Sequence, residues 1–282
     1  MTDGRCQETF TQKIISKLYL SDSFSDVSLK FGDESLPAHK LLLAASCPKF
    51  SELLTNDDEN KQNETVRELD VSHISKQLFM VVLKYIYWGL IDLKSMSDDD
   101  IMKLYSLTEE LQFHELIQIV GKALNEITVT VENVGKIYEV ADRFKLLALN
   151  KKCIDFVDKN TTRILKKLEI FTKYPLCFIK AISELESFSR KQLELFEANV
   201  KWREINPESN STAVFQNMRL DFVEPDKFDE VIRPTGLISD NQYFNAHRQK
   251  KINSSKIRKT VIVVFFSYIL MCLFSLIQRL LS

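Results

Sequence analysis

Histidine and cysteine are the residue types in this sequence best suited to bind a metal ion or to act as a nucleophile. The sequence has four histidines, and no two of them stand three or four residues apart, the spacing that places two side chains on one helix face. The five cysteines include no CxxC pair, and none completes a familiar zinc-binding spacing with a histidine. We therefore predict no metal ion, no other cofactor and no disulfide framework.

The remaining candidates for catalytic chemistry are also weak. No serine stands in a GxSxG motif, and the chain has only six glycines, which gives little support for a phosphate-binding loop. The carboxylates of Asp98, Asp99 and Asp100 are adjacent, but a helix N-terminus favours acidic residues and explains this run without a catalytic role. We therefore predict that the protein is not an enzyme.

The composition is that of a globular protein, with 27% charged and 45% hydrophobic residues. The formal net charge of -1 gives the chain no general attraction to nucleic acid, so we expect no nucleic-acid partner. The opening residues, MTDGRCQETF, lack the basic and apolar regions of a secretory signal. Because paired cysteine motifs are also lacking, the composition favours a cytosolic body.

The N-terminal part of the chain predicts a small sheet among helices. Alternating apolar residues in DVSLKF indicate a strand, and Gly32-Asp33 supplies a turn into ESLPA, so these segments form a hairpin. The segment VRELDV indicates a further short strand. Helices are predicted in AHKLLLAAS, in the segment that begins at Pro48, and in SHISKQLFMVVLKYIYWGL with Ser72 as its N-cap.

Two later helices each carry an apolar stripe at helical spacing. The stripes consist of Val134, Ile137, Tyr138 and Ala141, and of Leu149, Cys153, Phe156 and Val157. This pattern fits a pair of antiparallel helices. Further along, Ser239 and Gln242 form a capping box, which predicts a last short helix.

The order of these segments resembles that of a BTB/POZ domain. The resemblance rests on FSDVSLKFGDESLPAHKLLLAASCPKFSELL followed by LFMVVLKYIYWGLIDL, and it covers residues 7–125. Residues 126–247 resemble the helical BACK domain, where VIRPTGLISDNQYFNA is similar to its end in the BTB/POZ domain-containing protein nine subgroup. The predicted fold is therefore mainly α with a small β-sheet, an α+β BTB/POZ domain followed by an α-helical BACK domain.

The resemblance implies a homodimer that forms through the BTB/POZ domain. In this family the first helix packs across the dimer two-fold, and Asp26 and Lys40 match positions that line a charged pocket there. The implied dimer residues are Phe10, Ile14, Ile15, Leu18, Asp26 and Lys40. Two alternatives stay open: the first helix packs on its own subunit, or Asp26 caps the entry to its strand while Lys40 is solvated.

The resemblance also makes cullin-3 a candidate partner, because many BTB-BACK proteins are adaptors that bind cullin-3 through the BTB/POZ domain. An apolar-x-Glu motif often contributes to that contact, in the loop after the segment FSELL. Here no apolar residue stands two positions before Glu59 or Glu64, and Val66-Arg67-Glu68 falls in a predicted strand. The motif is absent or displaced, so the sequence leaves cullin-3 binding open.

Residues 260–278 predict one C-terminal transmembrane helix. The segment from Thr260 to Ile277 contains no charged residue, and its helix would be about 27 Å long, close to the thickness of a bilayer core. Apolar residues point to all sides of this helix, unlike those of an amphipathic surface helix. The membrane-contacting residues are Val261, Phe265, Phe266, Ile269, Leu270, Leu273 and Phe274. A buried core helix is the alternative.

A basic linker, residues 248–259, precedes this predicted span. Its predicted contacts to anionic lipid headgroups are Lys250, Lys251, Lys256, Arg258 and Lys259. Because only Arg279 follows the span, the positive-inside rule places the N-terminus in the cytosol and predicts a single-pass tail anchor. The strongly apolar span with little charge after it slightly favours the endoplasmic reticulum, whereas a short span with a basic flank also suits the mitochondrial outer membrane.

The predicted function is that of a membrane-tethered, dimeric protein-interaction adaptor. Recruitment of a substrate to a cullin-3 ubiquitin ligase is one form of this function. The alternative is a non-ligase dimeric scaffold that tethers partners at a membrane, and the missing apolar-x-Glu motif favours it. The kelch repeats, zinc fingers or discoidin-like domain that often follow in the family do not occur in the sequence, and its residues do not identify a client protein.

Overall fold

The structure is a computed structural model that describes residues 10–55, 66–216, 218–249 and 251–252. The chain divides into two compact units, Met1–Thr128 and Val129–Ser282. Unit 1 contains a three-stranded sheet among helices. The described part of unit 2 is built from helices and turns. The predicted combination of a small sheet with a mainly helical fold is thus confirmed.

The sheet of unit 1 has the strand order β2-β1-β3. Strands β1 and β2 are antiparallel and pair from Val27 with Ala38 to Phe31 with Glu34, so they form the predicted hairpin. Gly32 adopts a φ of 64° at the turn, a conformation that glycine adopts without a steric penalty. Strand β3 runs parallel to β1 and confirms the strand predicted in VRELDV. The strands are β1 Val27–Phe31, β2 Glu34–Ala38 and β3 Arg67–Asp70.

The helices of unit 1 surround a core to which the sheet contributes Val27 and Leu29, both fully buried. Pro48 begins a helix, as predicted, because a proline suits the first helical position. Ser97 accepts the backbone N–H of Asp100 at 3.2 Å and caps the helix whose first turn holds the acidic run. The helices are α1 Phe10–Ile15, α2 Lys40–Ser46, α3 Pro48–Thr55, α4 Lys76–Trp88, α5 Asp98–Glu110 and α6 His114–Glu126, with a 3-10 turn at Ser16–Leu18.

The predicted start of α4 at Ser72 is wrong, because the helix begins at Lys76. The Ser72 hydroxyl instead accepts the backbone N–H of Gly32 at 2.8 Å and donates to the Asp70 carboxylate at 2.5 Å. Ser72 therefore ties the hairpin turn to the end of β3. Because the Ser72 hydroxyl makes these two contacts, it does not cap a helix.

Unit 2 begins with the two predicted antiparallel helices, α7 and α8, which pack against each other. Val134, Ile137 and Ala141 of the first stripe are buried, and so are Leu149, Cys153 and Val157 of the second. The helices are α7 Val134–Arg143, α8 Leu147–Lys166, α9 Leu168–Phe171, α10 Leu176–Glu184, α11 Gln192–Ile205, α12 Thr212–Gln216, α13 Pro225–Lys227 and α14, residues 240–249, with 251–252 also helical. Between them lie the 3-10 turns Glu186–Lys191, Leu220–Phe222 and Arg233–Thr235 and the π-turn Phe228–Ile232.

Tyr174 and Trp202 form the centre of the core of unit 2. The indole N–H of Trp202 donates to the backbone carbonyl of Tyr174 at 2.8 Å, and the Tyr174 hydroxyl donates to the carbonyl of Val131 at 2.6 Å. Both side chains are at most 4% exposed, so these hydrogen bonds satisfy polar groups that water does not reach. Gly135 of α7 lies so close that a Cβ there would be 2.6 Å from Cδ1 of Tyr174.

None of the described helices is long and apolar enough to cross a membrane. The predicted span, residues 260–278, lies outside the described residues, as do Lys256, Arg258 and Lys259 of the predicted headgroup contacts. The side chain of Lys250 is also outside them. Lys251 is described and is exposed.

We predict that Gly135→Ala destabilises the protein by about 1–3 kcal/mol, because the added methyl group overpacks the Tyr174 ring. Gly121→Ala is a matched control with a milder contact, since its Cβ would lie 3.3 Å from Cε2 and 4.0 Å from Cδ2 of Tyr105. Urea unfolding followed by tryptophan fluorescence compares both variants with the wild type. Equal unfolding midpoints for Gly135→Ala and the wild type would contradict the close contact.

Candidate interaction surface

Helix α1 presents apolar side chains to solvent. Phe10 is 79% exposed and Ile14 is 47% exposed, while Ile15 and Leu18 are partly buried. No residue of α1 is buried, although the helix packs against α4. An apolar helix with no buried residue of its own is typical of an interaction surface.

Tyr19 holds the segment after α1 against the end of α4. Its ring lies edge-on to the ring of Tyr87, with centroids 5.9 Å apart, and edge-on to Trp88 at 6.2 Å. Gly89 ends α4 in the left-handed conformation, with φ of 66°. A Cβ at Gly89 would lie 3.2 Å from the side-chain nitrogen of Gln12 in α1, so the small residue permits this close approach.

A buried hydrogen-bond network joins α4 to the start of α2. The Tyr87 hydroxyl lies 2.8 Å from Nδ1 of His39 and 3.0 Å from the backbone N–H of His39. Nε2 of His39 lies 3.0 Å from the carbonyl oxygen of Ser23. A carbonyl only accepts, so Nε2 carries the proton and Nδ1 accepts from the Tyr87 hydroxyl. These contacts make His39 a structural residue, with both ring nitrogens engaged.

Burial raises the pKa of Tyr87 to about 12, and the negative charge of Asp26 acts in the same direction. The phenolate is disfavoured because it would lose its hydration inside the protein. Tyr87 is only 1% exposed. Its hydroxyl therefore stays protonated and keeps donating to His39 throughout the neutral range.

We predict that replacing Tyr87 with phenylalanine lowers stability at neutral pH by about 1–3 kcal/mol, because His39 loses its partner. The variant should also lose less stability than the wild type as pH rises from about 10 to 12. In that window the unfolded tyrosine is already ionised while the folded one holds its proton, so the wild-type contribution declines. Urea unfolding at a series of alkaline pH values measures both effects, and parallel pH dependences would contradict the assignment.

Asp26 lies where the sheet meets α2. Its carboxylate accepts the backbone N–H of Lys40 at 2.6 Å and so caps the first turn of α2. Its backbone carbonyl accepts the N–H of Arg67 at 2.9 Å, at the start of β3. Asp26 is exposed and Lys40 is partly buried. The structure thus brings these two predicted residues together through a backbone contact, and their role in a dimer stays a prediction.

Two further exposed apolar residues lie beside this network and are absent from the sequence predictions. Phe24 is 88% exposed and has a φ of 62°, which is uncommon for a bulky residue. Leu41 is 78% exposed on α2. The bond between His39 and Ser23 places Phe24 near the start of α2, and Leu41 follows His39 by two residues. The N-terminal apolar surface comprises Phe10, Ile14, Phe24 and Leu41.

The described cysteines are poorly suited to nucleophilic chemistry. Burial raises the pKa values of Cys47, Cys153 and Cys177, that of Cys153 to about 12, so their thiols stay protonated at neutral pH. Within the described ranges, no three side chains of His, Cys, Asp or Glu converge on a position that would hold a metal ion.

The loop of the apolar-x-Glu motif, residues 56–65, lies outside the described residues. Val66 is 40% exposed and directly precedes β3. Glu68 lies within β3, and its carboxylate is 2.6 Å from the ammonium group of Lys30 on the neighbouring strand. Val66-Arg67-Glu68 is therefore part of the strand region, as the sequence predicts.

The chain thus consists of two folded units: unit 1 has a three-stranded sheet with flanking helices, and the described part of unit 2 is helical. The sequence matches the BTB/POZ domain family over residues 15–128. It matches the BACK family, "BTB And C-terminal Kelch", over residues 134–233. The chain thus contains a BTB/POZ domain followed by a BACK domain.

The chain is also similar to individual proteins. BTB/POZ domain-containing protein 9 from Homo sapiens is 27% identical over 232 residues, which cover 82% of this chain and 37% of that protein. Kelch-like protein 41 from Homo sapiens is 26% identical over 254 residues, 89% of this chain and 40% of the relative. The BTB domain of zebrafish PATZ1 aligns with 41% of this chain and 92% of its own, at 24% identity and a TM-score of 0.34. The chain thus spans well under half the length of the curated relatives it matches.

Proposed function

We propose that the protein is a dimeric protein-interaction adaptor, in which the BTB/POZ domain joins two copies and the BACK domain carries a client protein. The observation that carries this proposal is the N-terminal apolar surface, above all α1, which buries none of its residues within one chain. The presence of both domains supports the same class of function.

A second copy of the chain is the occupant that best fits the N-terminal apolar surface. A two-fold contact pairs the same surface on both subunits, so one short apolar helix covers its counterpart. Phe10 and Ile14 would then leave water together with their symmetry mates, and each buried side chain would contribute about 1.5–3 kcal/mol. Ile15, Leu18, Asp26 and Lys40 complete the proposed interface, with Asp26 held in place by its bond to α2.

We predict that Ile14→Asp weakens the dimer, because a charge buried at an interface without a partner typically costs several kcal/mol. Leu147→Asp, which alters an exposed apolar residue of the BACK domain, is a matched control and should leave dimerisation unchanged. Sedimentation equilibrium of the protein in detergent micelles measures both variants. A wild-type protein that is monomeric at tens of micromolar, or equal weakening by both substitutions, would contradict the proposed interface.

Two forms of adaptor remain to be distinguished. A cullin-3 ubiquitin ligase adaptor is supported by the pairing of BTB/POZ and BACK domains, whereas a non-ligase scaffold is supported by the apolar-x-Glu motif, which is absent or displaced. Pull-down of cullin-3 with the purified dimer separates them. Binding that is lost when the BTB/POZ domain is deleted supports the ligase form, and its absence supports the scaffold.

The proposed adaptor is tethered to a membrane, with the N-terminal body in the cytosol. Residues 260–277 form an uncharged apolar run of spanning length, and six Lys or Arg residues occur in the twelve residues before it. The basic side chains favour the cytosolic leaflet and its anionic lipid headgroups. The endoplasmic reticulum is the proposed membrane, and the mitochondrial outer membrane is the alternative.

We predict that Ile269→Arg weakens membrane insertion, because a charge near the middle of a spanning helix costs roughly 2.5–3.5 kcal/mol. Adding Phe265→Arg should abolish insertion, whereas the matched control Ile269→Leu should leave it unchanged. Alkaline carbonate extraction measures insertion, and protease protection of a C-terminal tag measures orientation. Release of the wild-type protein by carbonate, or digestion of the tag in sealed vesicles, would contradict the anchor.

A further inference from the structure

Helix α14 is held firmly on the core of the BACK domain. The ring of Tyr243 stacks on that of Phe228, with centroids 4.0 Å apart and planes 14° apart, and its hydroxyl donates to the carbonyl of Val223 at 3.0 Å. Nε2 of His247 also lies 3.2 Å from that carbonyl oxygen. The Gln242 side chain donates to the carbonyl of Phe215 at 2.9 Å. Since all these contacts lie on one side of the helix, they fix its rotation.

The capping box predicted at Ser239 is only half formed. The hydroxyl of Ser239 accepts the backbone N–H of Gln242 at 3.3 Å, and this contact starts the helix as predicted. The side chain of Gln242 reaches to Phe215 instead of returning to Ser239. The Gln242 side chain thus makes a tertiary contact that holds α14 on the domain, in place of the bond to Ser239 that would complete the capping box.

The opposite side of α14 presents an exposed stripe of mixed character. Phe244 is 59% exposed, Arg248 is exposed, and Ile252 is 39% exposed. Phe244 and Arg248 are four residues apart, so they lie on one face of α14, and Ile252 follows after a further four residues, in the helical residues 251–252. Lys251 is exposed beside them. A helix at a membrane surface buries apolar side chains at the edge of the acyl chains and keeps basic side chains at the headgroups, and the exposed side of this segment offers both kinds of side chain.

The charges of α14 are distributed unevenly along its length. Asp240, at the N-terminal end, accepts from Arg233 at 2.9 Å, and Arg233 is also 2.9 Å from Asp229. The two carboxylates therefore share one guanidinium, and the end where the helix begins keeps a net negative charge from this group. Arg248 and Lys251 lie at the other end, toward the predicted basic linker, and give that end a positive charge.

We infer that the exposed stripe of α14, Phe244, Arg248, Lys251 and Ile252, seats the BACK domain on an anionic phospholipid surface. Phe244 and Ile252 enter the boundary between headgroups and acyl chains, and the two cations contact phosphate and carboxylate groups of the lipids. This inference rests on the proposed membrane anchor and adds that the BACK domain has a defined orientation on the bilayer.

The distance along the chain supports a lipid surface as the occupant. Only residues 253–259 separate the described helix from the proposed span, and seven residues reach at most about 25 Å. Because α14 is fixed on its domain, the stripe cannot move far from the bilayer once the span is inserted. The basic end of the helix would then face the anionic headgroups, which is the electrostatically favoured orientation.

The test places a tryptophan reporter on the stripe of the full-length protein. Phe244→Trp is reconstituted into phosphatidylcholine vesicles with brominated acyl chains, prepared with and without phosphatidylserine. We expect bromine to quench its fluorescence, and more strongly with phosphatidylserine present. Ile205→Trp, at another exposed apolar position of the BACK domain, is the matched reporter and should not be quenched. The wild-type protein gives the background fluorescence of the two native tryptophans, Trp88 and Trp202.

Charge reversal tests the electrostatic part of the inference. Arg248→Glu combined with Lys251→Glu should reduce the quenching of Phe244→Trp, since each basic residue near an anionic surface contributes a factor of roughly five to the equilibrium constant for seating. Reversal of Lys201 and Arg203, which are exposed on α11, alters the net charge equally and should leave the quenching unchanged. Equal effects of both pairs would overturn the inferred seat.

Carbonate extraction of the same vesicles separates failure of the seat from failure of the anchor. Protein that resists carbonate but shows no quenching of Phe244→Trp would overturn the seat and retain the anchor. Protein that is released by carbonate but shows quenching beforehand would overturn the anchor and retain the seat as a peripheral contact. Release without quenching would overturn both.

Discussion

The buried pair of His39 and Tyr87 is the interaction on which the arrangement of the BTB/POZ domain depends. One hydroxyl group satisfies both the ring and the backbone N–H of His39, and the other ring nitrogen is satisfied by Ser23. Three segments distant in sequence are thereby joined: the loop before β1, the start of α2 and the end of α4. His39 and Tyr87 are buried, so loss of the Tyr87 hydroxyl would leave polar groups of His39 unsatisfied at a cost of about 1–3 kcal/mol.

This buried network has a consequence for the surface. His39 is buried and its ring contacts the carbonyl of Ser23, while Leu41, two residues after His39, and Phe24, next to Ser23, are exposed. The same end of α4 receives α1 through Gln12 and Tyr19, and α1 leaves Phe10 exposed. The hydrogen bonds of His39 and Tyr87 thus hold together the segments that carry these exposed apolar side chains. In the proposed dimer, the geometry of the interface is set by these hydrogen bonds, while the affinity comes from the apolar side chains.

The sequence predicts those parts of the structure that depend on local pattern. Alternation and Gly32 predict the hairpin, and apolar periodicity predicts α7 and α8. Local pattern does not predict the structure where a side chain bonds to a residue distant in sequence. Ser72, for example, binds the backbone of Gly32 and does not start α4. The contact between His39 and Tyr87 joins residues 48 positions apart, which periodicity cannot reveal. Phe24 is 88% exposed with a positive φ, and the local sequence pattern gives no signal for either feature.

In the proposed protein, dimerisation and membrane attachment reinforce each other. Chains confined to one membrane meet at a higher effective concentration than chains in solution, so an interface of a few apolar side chains suffices to hold two copies together. A dimer in turn brings two basic segments and two α14 stripes to the same bilayer, and their contributions to surface attraction combine. The firm docking of Tyr243 on Phe228 matters here, because only a rigid connection transmits the orientation of the lipid-facing helix to the domain that carries the client. A flexible connection would tether the same domain without orienting it.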